Sequence, residues 1–122
     1  MKDTRINFET AKLAKEKGFD IKTKYSWYVP DNSKPIIEKH KPDGLYYLSC
    51  PTQSLLAKWL REEHNIYVSP RESYGFDGTT LEIVCTVNGV FVNHNFKDKP
   101  INRFENFEEA YEIGLQEALK LI

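Results

Sequence analysis

The chain has 122 residues, 40% of them apolar and 29% charged, with seven Phe, seven Tyr, two Trp and a formal net charge of −1. That length fits one domain over residues 1–122, burying roughly two-thirds of its unfolded surface, and the aromatic content excludes a disordered chain. No segment approaches the roughly 18 apolar residues of a membrane span, and Met1-Lys2-Asp3-Thr4-Arg5 lacks the apolar stretch of a secretory signal.

Cys50 and Cys85 are too few for a disulfide framework and too far apart for a zinc knuckle, so a reduced, cytoplasmic protein without metal or cofactor is expected. Charge is unevenly divided. Residues 1–61 hold twelve Lys or Arg against seven acids, and residues 62–122 hold five against eleven. Such asymmetry marks a nucleic-acid face or an acidic partner site, or merely solvated helix faces.

In chain order, Asn7 caps a predicted helix over Phe8–Lys17, with Gly18 at the left-handed position after it and Phe19 placed to fold back on Leu13 or Ala14. Together these make an N-terminal helical segment, 1–19. Residues 20–50 are less regular. Tyr25–Val29 reads as a short strand ended by Pro30-Asp31-Asn32-Ser33, residues 34–44 as a long surface loop anchored by Ile36-Ile37, and Leu45–Leu48 as a strand. Thr52 caps a second helix with Leu55, Leu56, Trp59 and Leu60 inward, closed by His64-Asn65. Trp59 is expected among the most buried residues. Ile66–Val68 follows as a strand.

Asn88-Gly89, between two alternating runs, is the signature of a type I′ hairpin. The register it sets pairs Val87 with Val90, Cys85 with Val92, Ile83 with His94 and Leu81 with Phe96, all on one core face. The opposite face carries Thr80, Glu82, Val84 and Thr86 and is expected to be open to water. Asn106 caps the last helix, with Glu109 completing a capping-box-like pair. Phe107, Ala110, Tyr111, Gly114, Leu115, Ala118, Leu119 and Ile122 form its apolar stripe. Gly114 in mid-stripe implies close approach of another backbone. The expected fold is α+β: a two-layer sandwich of order α-β-α-β-β-β-α, with an antiparallel sheet of three to four strands and helices on one face.

From Thr52 onward, the order helix, three strands, helix resembles the double-stranded-RNA-binding domain, and residues 51–122 would form that core. Pro51-Thr52-Gln53-Ser54-Leu55-Leu56 is similar to the start of its first helix, and Ala110…Ala118-Leu119 to its last. The family's lysine cluster at the last helix is replaced by Asn106-Phe107-Glu108-Glu109-Ala110, and its Gly-Pro-x-His loop by Tyr74-Gly75-Phe76-Asp77-Gly78. The resemblance therefore implies the topology, while carboxylates at the docking position predict no binding to duplex RNA. Residues 8–19, 51–66 and 107–119 resemble blocks of short uncharacterised proteins of Bacteroides-type genomes and their phages and prophages, a group with no stated activity.

No HExxH, CxxC, GxGxxG, P-loop or GxSxG motif occurs. Cys50 precedes a helix N-terminus, where the dipole favours a thiolate, which makes it the candidate reactive thiol, with His40 within reach and His64 too distant. His94 on an apolar face reads as a hydrogen-bonded core or rim histidine, or as a ligand. Lys22, Lys24, Tyr25, Trp27, Tyr28 and Lys34 interleave rings with cations, the ingredients of single-strand nucleic-acid binding. The plainer reading is an edge strand guarded by lysines. The expectation is a small, non-enzymatic, phage- or prophage-type accessory protein binding a protein partner or a second copy of itself, with weak single-strand binding through residues 22–34 as the alternative.

Overall fold

The computed structural model describes residues 4–21, 23–28, 31–37, 47–74, 78, 81–96, 99–101 and 103–122. Among the described residues there are three helices, α1 (Phe8–Glu16), α2 (Gln53–His64) and α3 (Phe107–Leu119), and eight strands: β1 (Tyr25–Tyr28), β2 (Asp31–Ile37), β3 (Tyr47–Ser49), β4 (Val68–Tyr74), β5 (Leu81–Val87), β6 (Val90–Phe91), β7 (His94–Phe96) and β8 (Lys99–Ile101). The class is α+β. The expected single sheet is divided into three antiparallel ones, ordered β2-β1-β3, β4-β5-β6 and β7-β8.

The caps act as their residue types dictate. Side-chain oxygens of Asn7, Thr52 and Asn106 accept from the N–H groups of Thr10, Leu55 and Glu109, meeting donors that the first helical turn leaves open. Gly18 takes φ +98°, and the Phe19 N–H returns to the Ala14 carbonyl at 2.9 Å. Asn65 closes α2 in the left-handed region at φ 57°.

Helix α3 is central. It packs on β4 and β5, and α1 and α2 both pack on it. The chain's start is tied to α2: the Ile6 N–H donates to the Pro51 carbonyl and the Gln53 N–H to the Thr4 carbonyl. One buried cluster runs from Ile6, Phe19, Trp27 and Leu48 through Leu56 and Leu60 to Cys85, Leu115 and Leu119.

Several expectations are corrected. Residues 31–33, expected to end a strand, and 34–37, expected to begin the loop, instead form a strand paired antiparallel to β1, with Ile37 opposite Tyr25. Because β2 lies at a sheet edge, it tolerates Pro35, which lacks the N–H a central strand needs. Residues 38–44 of that expected loop lie outside the described residues. The strand expected at Ile66–Val68 starts only at Val68 and runs to Tyr74. Trp59 is only half-buried: its ring packs edge-on against Phe19 and His64, while Leu56 and Leu60 fill the core.

At the hairpin, Asn88 and Gly89 adopt φ 50° and 84°, Val87 pairs with Val90, and the Val92 N–H donates to the Cys85 carbonyl with both residues buried. The register then diverges. Ile83 bridges Phe104 instead of His94, and residues 94–96 pair with 99–101, so Phe96 does not oppose Leu81. Leu81 and Val90, expected in the core, are exposed, whereas Val84 and Thr86 on the other face are buried. On α3, Phe107 and Ile122 lie at the exposed ends of the stripe, and Glu112 is buried. What approaches Gly114 is a side chain rather than a backbone: a Cβ there would lie 2.4 Å from Cys85 Sγ and 3.0 Å from Val68 Cγ1.

Candidate functional site

The candidate thiol does not sit in an open microenvironment. Cys50 is fully buried, its Sγ 3.5 Å from the Ile6 carbonyl. Burial pushes its pKa up to about 11, the nearby Arg5 charge pulling the other way. Desolvation outweighs the helix dipole, which reverses the direction expected from position alone. His64 is engaged with Trp59, ring centroids 4.7 Å apart. His40 lies outside the described residues, and of His94 only the backbone, in β7, is described. Among the described residues no group of three His, Cys, Asp or Glu could hold a metal ion.

The ring-and-cation segment is split by the fold. Trp27 turns into the core, 8% exposed, its Nε1–H donating to the Ile6 carbonyl at 3.2 Å and its ring edge-on to Phe8 at 5.8 Å. It presents no face to a base. Tyr25 and Tyr28 are half-buried and Lys24 is exposed. Lys22 lies outside the described residues, as does the side chain of Lys34. Tyr25 gathers two cations, the Arg5 guanidinium 3.9 Å and Lys24 Nζ 5.8 Å from its ring centre. Arg5 reaches it because residues 4–6 run beside 51–53, and Arg5 Nη1 donates to the Cys50 carbonyl at 3.2 Å.

Glu112 is the polar residue that periodicity misplaces. Its carboxylate accepts from the Asn7 N–H at 3.1 Å, from the Thr10 hydroxyl, and from Gln53 Nε2 at 3.0 Å, while Gln116 Nε2 donates to Thr10 Oγ1 at 3.0 Å. The acid thus sits against the N-termini of α1 and α2, where backbone dipoles favour negative charge. It locks three helices together. Its spacing from Leu115 and Leu119, three and seven residues on, is the signal that places it on the inward face.

A shallow apolar groove of about 460 Å³ opens beside the hairpin, lined by Val87, Val90, Phe91, Val92 and Leu121, with Asn88, Asn93 and Glu117 supplying polar groups. Val90, Phe91 and Leu121 are 69%, 44% and 63% exposed. Strand β6 is the sheet edge. Val87–Val90 and Cys85–Val92 flank the Thr86–Phe91 pair, and Val92 donates to Cys85. Antiparallel alternation therefore turns the N–H and C=O of Phe91 away from β5.

Compared with known proteins, the chain matches no family model, no curated protein and no solved structure.

Proposed function

We propose that the chain is a small, non-enzymatic binding protein, an accessory of the phage or prophage type that its sequence blocks resemble. Its partner is a protein, and an extended apolar segment of that partner lies along β6. One observation carries this reading: Val90, Phe91 and Leu121 are exposed together around a groove at a sheet edge. Contiguous exposed apolar surface is a feature that monomeric domains keep small unless it binds something. The outward N–H and C=O of Phe91 add main-chain hydrogen bonding, which is the chemistry of strand addition, and the groove accommodates alternate side chains of the added strand.

A peptide-display selection against the folded protein tests this. The expected winners alternate apolar and polar residues, and they lose binding on Phe91→Asp and on Leu121→Asp while both variants keep the parent melting temperature. Peptides that bind these variants as well as the parent would place the site elsewhere.

A further inference from the structure

A second surface, separate from the hairpin groove and independent of the reading above, lies where α1 meets β1. We propose that it binds single-stranded nucleic acid, with Arg5 lying on Tyr25 as the stacking plane for a base and with Lys12 and Lys24 as phosphate contacts. The residues form one row. Lys12 Nζ lies 5.7 Å from the Phe8 ring centre, Phe8 rests edge-on against Trp27, and Tyr25 stands two residues from Trp27 on β1 with Arg5 and Lys24 against its ring. Two strand residues span roughly 7 Å and Phe8 lies 5.8 Å beyond the Trp27 ring, so the two ring–cation groups flank the buried indole.

These cations are available. Among the described residues no carboxylate forms an ion pair with Arg5, Lys12 or Lys24, and Lys12 and Lys24 are exposed. The Arg5 bond to the Cys50 carbonyl engages one of the five N–H groups a guanidinium carries. With its Cζ 3.9 Å over the ring centre and the residue only half-buried, the guanidinium can present its other face to a base and its remaining N–H groups to phosphate.

Three cations alone would attract any polyanion. The stacked Arg5 plane is what favours unpaired bases, because every base has a π-face that a duplex keeps hidden. A membrane surface would instead want an apolar wedge between the cations, whereas here each half-buried ring is capped by a cation. The partner is thus an unpaired strand, met through residues from both ends of the segment 5–25 and without the indole of Trp27.

The test is a fluorescence-anisotropy titration with labelled twelve-nucleotide oligo(dT) and oligo(rU). A duplex of equal length and phosphatidylserine vesicles are run beside them between about 0.05 and 0.2 M salt. The single strands are expected to bind with a salt slope near −2, from three contacts at about 0.7 each. Lys12→Gln combined with Lys24→Gln, both on exposed side chains, should weaken binding about tenfold or more and flatten the slope by about 1.4. Arg5→Lys keeps the charge and removes the plane, so it should weaken single-strand binding several-fold with the slope unchanged. Absence of single-strand binding at the lowest salt would overturn the proposal. So would equal affinity for the duplex or the vesicles, or an affinity indifferent to the lysine pair or to Arg5→Lys.

Discussion

Gly114 and Cys85 meet so closely that each constrains the other. A methyl group on Gly114 would stand 2.4 Å from Cys85 Sγ, well inside contact distance, and both positions are buried. Alanine gains about 1 kcal/mol in helix propensity over glycine, but overpacking a core costs roughly 1–3 kcal/mol. Gly114→Ala is therefore expected to destabilise the protein in urea denaturation. In a Cys85→Ala background the cost should shrink, since the nearest atom is gone and only Val68 at 3.0 Å remains tight. Strict additivity of the two changes would show that the contact is not what excludes a side chain there.

The two thiols make a pH prediction at the same scale. Burial raises both Cys50 and Cys85 from 9.0 to about 11. Between pH 9 and 11 the unfolded chain has lost these protons while the folded chain keeps them, so unfolding is favoured as pH rises through that window. The stabilisation is present in full below pH 9 and is lost on approaching pH 11. Replacing both cysteines by alanine should flatten the fall in melting temperature across that interval. A parent and a double variant that decline in parallel would contradict the burial of the thiols.

Among the elements, local chemistry was legible and non-local competition was not. The caps Asn7, Thr52 and Asn106 and the turn Asn88-Gly89 depend on residues within three or four positions of each other, so the sequence displays them directly. The hairpin's second strand also continues the alternation past Phe91, yet Phe104 arrives from outside and takes the place opposite Ile83. No pattern within residues 81–96 announces that competitor. Proline misled in the same way. Pro35 looked like a turn residue, but β2 is an edge strand, which does not need every N–H.

Glu112 escaped because counting apolar positions treats any acid as facing water, whereas the N-termini of α1 and α2 supply its donors. Its removal has a defined consequence. In Glu112→Leu, Thr10 can still donate to Asn7 Oδ1 and Gln53 to the Glu108 carbonyl, leaving the Asn7 N–H without a partner. Asn7 is exposed, so water can take the vacated place and the cost is that of one exchanged hydrogen bond, about 0.5–1.5 kcal/mol. Hydrogen exchange should accelerate first at the start of α1, and Glu112→Gln, which keeps an acceptor oxygen, should lose less than the leucine variant. A leucine variant as stable as the parent would show the carboxylate does not hold α1 in place.

For the whole molecule the question is whether three separate sheets behave as one folding unit. The candidate surfaces were only half legible at this scale, because they depend on how distant pieces meet. The sequence displays the rings and lysines of residues 22–34, but not that Arg5 would come to Tyr25 while Trp27 turned inward. The same meeting of distant pieces predicts cooperativity. Helix α3 touches β4 and β5 on one side and α1 and α2 on the other, and the buried cluster is continuous from Trp27 to Leu115. Among the described residues, the sheets β2-β1-β3 and β4-β5-β6 share this one buried cluster. Trp59→Phe leaves Trp27 as the only indole, a reporter on β1 far in sequence from the sheet β4-β5-β6. Its fluorescence transition in urea should coincide with the loss of helical circular dichroism, the behaviour of a two-state domain. Leu115→Ala, which empties a fully buried site on α3, should move both transitions together by about 2–5 kcal/mol. If Trp27 reported a separate, earlier transition that Leu115→Ala left in place, the β2-β1-β3 sheet would be a unit apart from the rest.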